Sequence, residues 1–520
     1  MPPVLGKLLS GSFWLALRMP LQVFFSLWTI PLLLQAKVLG PYGFAWGFGF
    51  FQFLLEFGMS SSLQRQVSER WTKGDREGVR RAIACGMNFY AVMALVQIAA
   101  LLIVAYVALP YSRFSGPDAD LIVKLLWLQA AVAPCYGISM VLSAVLQAAR
   151  RYDLLPRLEF LVVIFRFLFL WWGVNHRVDF FAIVIAQTAV QIGLTIVPAL
   201  WVSVRELGHL PGFRGSLMSD YRSLIHISFY MFLIQISVAL SDKMDTTILG
   251  FATLDPTTAI EVYTAVSKPF AQIRQTGWTL AYLVMPAVAS LIAARDFRAL
   301  ERVKYDGTRL HIASLTPIAL LAWIYAGPFL TLLVGDKFGY DAAREAPLLR
   351  LFLIAVIPLI LSVPVQIAFG MNKVEVIAIA ALVGSLINFP LSLYLTVKLG
   401  VSGVIWGTVV TTLFSNLLVP GYYVFKTLEF DGKRFLLRTL GPPFIGGLAL
   451  LGVTLVVQSL APLHPSVKGG MSLLRWMPLV WHLSIGCAAF AAGYVATPTG
   501  RSDAAEILGK LRRRVAVSPS

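Results

Sequence analysis

The chain has 520 residues, 58% hydrophobic and 13% charged, with a mean hydropathy of +0.76 and a formal charge of +17. Soluble domains carry about 25% charged residues, so this composition excludes a soluble protein and requires an integral membrane one. The apolar runs are continuous over about twenty residues and lack alternation of period two, which requires helices rather than a barrel.

Gly, Pro and charge clusters divide the chain into about fourteen predicted spans. They fall at 12–38, 42–63, 83–110, 121–148, 158–174, 180–203 and 223–249, then 257–292, 310–334, 346–371, 374–396, 401–424, 439–460 and 476–496. The first is too long for a signal-peptide core and is read as a retained helix. Cys85, Cys135 and Cys487 all lie inside apolar spans, so neither a disulfide framework nor a cysteine metal site is expected.

The connecting loops alternate in charge. The basic set comprises 64–82, 149–157, 293–309, 425–438 and the tail with Lys510, Arg512, Arg513 and Arg514. The opposite set is short and poor in Lys and Arg. Cytoplasmic loops carry the excess of positive charge, so both termini are expected in the cytoplasm. The net charge therefore reports topology, not a nucleic-acid partner. The tail 502–514 is expected to form a short basic amphipathic helix on anionic lipid, or to be a plain positive-inside anchor.

Spans four and ten both end in a Gln that leads into a tight turn, at Gln147 and Gln366, and spans one and seven both reach Leu-Gly, at Leu39 and Leu249. Six spans separate each pair, which implies two six-helix lobes of like orientation plus two extra helices. The expected domains are an N-lobe at 1–204, a linker at 205–222, a C-lobe at 223–424, helices thirteen and fourteen at 425–496, and a basic tail at 497–520.

Five cations lie inside the spans: Arg18, Arg166, Lys243, Lys268 and Arg274. A cation at the bilayer centre costs ~2.5–3.5 kcal/mol, so such residues mark a watery interior and a function there. Their sign suits an anion. On span eight, Glu261, Thr264, Lys268, Gln272 and Gln275 share one helical face, with Pro269 expected to bend the helix. The alternative is a structural polar seam. On span seven, Gln235, Ser241, Asp242, Lys243 and Asp245 cluster, and Asp242 and the two lysines lie at comparable depth. They form either a buried Asp–Lys bridge or a site where a carboxylate takes a coupling proton or cation. Arg18 either joins the cavity or snorkels to the interface. Arg166 sits mid-span in Phe165-Arg-Phe, and arginine suits phosphate. Glu56 is a gate partner for Gln64 or Arg65, or an interfacial acid.

No phosphate loop of the Gly-x-x-x-x-Gly-Lys-Ser/Thr type and no His-Glu-x-x-His spacing occurs, and no loop is long enough for a catalytic domain. No catalytic residue, cofactor or metal is expected, and the protein is read as a non-enzyme.

Three stretches resemble one family: Val38-Leu-Gly-Pro-Tyr-Gly-Phe-Ala with Leu54 to Arg65, Asp242-Lys-Met-Asp-Thr-Thr-Ile-Leu-Gly with Val262-Tyr-Thr-Ala, and Pro347 to Asn416 with Leu399-Gly-Val-Ser-Gly-Val-Ile-Trp-Gly. The chain looks like a polysaccharide-type flippase of the MATE-like multidrug/oligosaccharidyl-lipid/polysaccharide exporter superfamily. The resemblance implies two lobes around a central cationic cavity, alternating access, and an undecaprenyl-pyrophosphate-linked oligosaccharide as substrate. It implies a bacterial cytoplasmic membrane, membrane lipids and other glycan-assembly membrane proteins as partners, and cavity roles for Arg18, Asp242, Lys243 and Lys268. A drug/cation antiporter of the MATE type and a lipid II flippase are the alternatives; five intramembrane bases against about three acids disfavour the first.

Overall fold

A backbone in hydrocarbon must satisfy its own hydrogen bonds, and a chain this apolar does so by winding into helices. The computed structural model describes residues 3–49, 51, 56, 59–151, 153–215, 232–233, 236–237, 240–241, 243–282, 284, 288, 291–292, 294–335, 342–371, 373–463 and 473–516. Among them are helices and turns and no strand, the all-α architecture expected. Nine described helices are long and apolar enough to cross a membrane, or up to ten with one sharply bent pair.

The helices gather into two compact units. One is Met1–Thr264 with Ala381–Gly407, the other Ala265–Ala380 with Thr408–Ser520. In the first, α1 (Pro3–Gln35) packs on α6 (Leu154–Asn175). Phe25 stacks on Phe167 at 4.3 Å, an offset ring pair worth about 1 kcal/mol beyond burial. A short α2 (Leu39–Gly47) precedes α3 (Met59–Thr72), α4 (Arg76–Ile103), α5 (Gly116–Ala148) and α7 (Phe180–Leu207). Met59, Leu63 and Val67 on α3 meet Ile83 on α4 and Val141 and Val145 on α5 in a fully buried core. Residues 243–252 are helical, and α8 (Pro256–Tyr282) begins in this unit.

Small residues set the closest helix contacts, as expected where lipid offers no hydrophobic drive between helices. In the first unit, a Cβ at Gly403 would strike the backbone of Leu395, and one at Gly407 would strike Ser392. Helices Glu375–Leu399 and Val401–Leu413 therefore lie against each other, with Ser385, Asn388, Ser392 and Thr396 buried along the former.

In the second unit, α9 (Thr308–Ile324) and α10 (Ala326–Leu333) meet at a 76° bend. The sequence predicts one span here. Pro328 explains the break: its ring excludes the carbonyl of Ile324 from a helical position, and Tyr325 becomes the corner. Helices α11 (Gly441–Leu460) and α12 (Met477–Ala496) pack on each other through Gly446, Gly493 and Phe490, and on α9 through Gly486 against Leu321. The tail forms α13 (Pro498–Ala516), longer than the predicted 502–514.

One other expectation shifts. The predicted loop 64–82 is helical through Thr72, turns at Gly74 with φ +73, and restarts where Asp75 caps α4 by accepting from the Gly78 amide at 2.8 Å. Helix α8 runs unbroken past Pro269. Four π-helical turns, at 104–108, 303–307, 414–418 and 435–440, lie within or beside spans.

Candidate functional site

The short-loop ends of α2 and of residues 243–264 meet closely through glycines. Gly40, Gly43 and Gly47 fall on one face of α2. A Cβ at Gly40 would lie 2.8 Å from the Cα and carbonyl oxygen of Thr257, one at Gly43 against Ile260, and one at Gly47 against Thr246. From the other side, Gly250 admits the ring of Phe44. Polar bonds tie the same ends. Thr257 Oγ1 donates to Asp118 Oδ2 at 2.7 Å, and the Glu261 carboxylate lies near the Gly40 amide. Gln129 on α5 donates to the Ala45 carbonyl at 2.9 Å. Glu261 thus stands near the start of α2, where a helix N-terminus favours negative charge.

Asp245 is buried and accepts from the Tyr263 hydroxyl at 2.6 Å, joining residues 243–252 to α8. Lys243 is half-buried, and its carbonyl accepts from Thr246 Oγ1 at 3.3 Å. Asp242 and Gln235, predicted beside it, lie outside the described residues.

Arg166 is half-buried in the middle of α6. Its Nη1 donates to Gln191 Oε1 at 3.2 Å, and Tyr42 of α2 lies near its guanidinium. Gln187, one turn before Gln191 on α7, donates to the Arg166 carbonyl at 2.6 Å and braces α6 against α7. Every one of these partners is neutral, and no carboxylate pairs with Arg166 among the described residues. Its charge is held in place without being cancelled.

Arg18 differs. It pairs with Glu159 of α6, so its charge is balanced within the first unit. Glu56 is buried and accepts from the Tyr136 hydroxyl at 3.1 Å, with Tyr90 beside both. Its described neighbours stand on α4 and α5, and neither Gln64 nor Arg65 is among them.

The rest of the predicted set lies in the second unit. Lys268, Gln272 and Arg274 are half-buried on α8 and Gln275 is exposed; Arg274 lies over the Phe270 ring at 5.4 Å. Lys268 and Gln272 continue, down one unbroken helix, the face that carries Glu261 and the buried Thr264. The first unit thus brings Glu261, Asp245, Lys243 and Arg166 to helices that share α2 or α8 as a neighbour. Tyr42, Gln187, Gln191, Tyr136 and Tyr263 were not singled out by sequence. The one available signal was the pair Gln187 and Gln191, two amides one turn apart in an apolar span. Among the described residues no group of three His, Cys, Asp or Glu side chains is placed to hold a metal ion.

Residues 14–172 match the family model MatE. No curated protein matches the chain. Among solved structures, the fold is similar to a lipid II flippase, MurJ, in an inward closed conformation, with TM-score 0.68 and 15% identity over 94% of this chain and 98% of that one. It is also similar to an inward-facing multidrug resistance MATE family transporter of the MOP superfamily, with TM-score 0.62 and 12% identity over 80% of this chain and 96% of that one. A eukaryotic MATE transporter aligns with TM-score 0.54 and 15% identity over 81% of this chain and 96% of that one. The chain has the fold these transporters share.

Proposed function

We propose that the protein is a flippase that carries an undecaprenyl-pyrophosphate-linked oligosaccharide from the cytoplasmic to the outer leaflet by alternating access. On this reading both termini and the basic loops are cytoplasmic, the membrane is a bacterial cytoplasmic membrane, and the lobes are 1–204 and 223–424. The short-loop closure of α2 against 243–264 is then the outer gate, shut in this structure. Arg166, Lys243, Lys268, Arg274, Gln272 and Gln275 bind the headgroup, while Glu261, Asp245, Asp242 and Glu56 serve gating or ion coupling. Arg18, already paired with Glu159, has the weaker claim to substrate.

The observation that carries the reading is Arg166: a mid-span guanidinium whose described partners are all neutral offers its full charge to an anion. A cationic-drug antiporter needs the opposite field. The 94% coverage by the lipid II flippase fold, against 80% for the multidrug transporter, supports a lipid-linked headgroup, and a peptidoglycan precursor is the second reading for that reason.

The test is protein in liposomes containing a pyrophosphate-linked isoprenoid oligosaccharide, with an impermeant probe reporting headgroup transfer between leaflets. Losing one charge-assisted bond costs about 1.5–3 kcal/mol, so Arg166→Ala and Lys268→Ala each slow transfer roughly 10- to 100-fold. Transfer at the unmodified rate in both variants would sink the cationic-site reading, and no transfer at all would sink the flippase.

A further inference from the structure

Two glutamines of α7 reach Arg166, and they do different work. Gln187 is buried and spends its amide on the backbone, donating to the Arg166 carbonyl at 2.6 Å. Gln191, one turn further on, meets the side chain: its Oε1 accepts from Arg166 Nη1 at 3.2 Å. The helices that carry them are closely seated, since a Cβ at Gly173 of α6 would strike the Ile183 side chain of α7. Gln187 thus fixes where the arginine starts, and Gln191 fixes where its charge is presented.

A guanidinium only donates, so this bond commits the Gln191 oxygen and leaves its two amide N–H groups. They meet no acceptor among the described residues. Gln191 is exposed and Arg166 half-buried, each near the middle of an apolar helix. Polar groups left accessible at that depth face a watery cavity rather than lipid. The bond therefore sets a neutral pair of donors beside a cationic fork of donors. A phosphate group, with several oxygens to fill, matches both. We infer that Gln191 is a second binding residue of this site, fixing the Arg166 fork through its carbonyl and giving its amide N–H groups to the same phosphate. This inference rests on the reading of Arg166 as an anion-binding residue.

A substitution of nearly equal shape separates binding from support. Gln191→Glu keeps the oxygen that Arg166 bonds and replaces the amide N–H groups with a second carboxylate oxygen. It strengthens the pair and cancels the charge that an anion needs. A purely structural Gln191 would be served at least as well by that change. The experiment uses the purified full chain in lipid nanodiscs, with inorganic pyrophosphate as probe, reading affinity by calorimetry and stability by a thermal melt. Gln191→Glu is expected to melt at or above the parent and to bind pyrophosphate roughly 100-fold more weakly or worse. Gln191→Ala, which loses the amide donors but leaves the charge, is expected to bind roughly 10-fold more weakly, the loss of about one bond to a charged group.

The two ideas fail separately. If the parent binds pyrophosphate and Arg166→Gln does not, but either Gln191 variant binds as tightly as the parent or tighter, the role of Gln191 is overturned and the anion site stands. Weaker binding in both variants, with both melting below the parent, also overturns it, because Gln191 then only holds α6 to α7. If Arg166→Gln binds pyrophosphate as the parent does, or neither binds it, the anion reading falls and the role of Gln191 falls with it.

Discussion

A methyl group at position 40 has no space to enter. Its carbon would sit 2.8 Å from the Thr257 Cα and carbonyl oxygen, and backbone cannot rotate aside as a side chain can. At Gly47 the obstruction is the Thr246 hydroxyl, which turning about χ1 can relieve, and at Gly452 nothing lies within 4 Å. Overpacking costs about 1–3 kcal/mol where the neighbour cannot yield. Gly40→Ala is therefore expected to lower the unfolding temperature and speed exchange in residues 39–47. Gly47→Ala should do so less, and Gly452→Ala not at all, since Ala is the better helix former. Three indistinguishable variants would mean that α2 is not tightly seated on Thr257.

At the scale of elements, the tail helix α13 is fastened rather than loosely appended. Asp503 takes two bonds from Arg309 of α9, Nε to Oδ2 at 2.8 Å and Nη2 to Oδ1 at 2.6 Å, and a third from the Tyr494 hydroxyl at 2.5 Å. Arg309 Nη1 also donates to Asp306 at 2.8 Å and to the Arg438 carbonyl, inside a π turn, at 3.2 Å. Both charges are buried, at 3% and 9% side-chain exposure, so removing Asp503 leaves Arg309 only the half-exposed Asp306 as a carboxylate partner. Asp503→Ala is expected to destabilise by about 2–3 kcal/mol in a thermal melt, since Arg309 keeps Asp306, and to open 498–516 to protease. Asp503→Asn, which keeps oxygen and amide in place, should cost less. A melt of Asp503→Ala that matches the parent would show the joint to be idle.

This joint was not legible in the sequence. Arg309 reads there as one more loop charge, and its partner is 194 positions away. Spans were legible because a lipid-facing backbone leaves only the helix, and period and length then suffice. Arg166 was legible because a cation among Phe and Leu is costly, but Tyr42, Gln187 and Gln191 carry no such cost and pass as ordinary residues. The corner at Tyr325 follows from Pro328, which the length of the apolar run concealed.

For the whole molecule, the proposed reading puts the basic loops in the cytoplasm, and that orientation decides what the membrane potential does to the proposed cargo. On the proposed reading a pyrophosphate with about two negative charges leaves a cytoplasm that is electrically negative. Each charge falling through 100 mV is worth ~2.3 kcal/mol, so the outward step gains roughly 4–5 kcal/mol, about a thousandfold in the distribution between leaflets. The protein's own cations do not enter this account over a full cycle. Arg166, Lys243 and Lys268 go out with the headgroup and return without it, so their work against the field cancels and only the cargo's charge remains. Inside-negative potentials set with potassium and valinomycin are therefore expected to drive the probe toward the outer leaflet, and reversing the gradient should drive it back. Steady-state distributions that ignore the potential would require two cations to leave with each headgroup, and the cargo would then not travel as a bare anion.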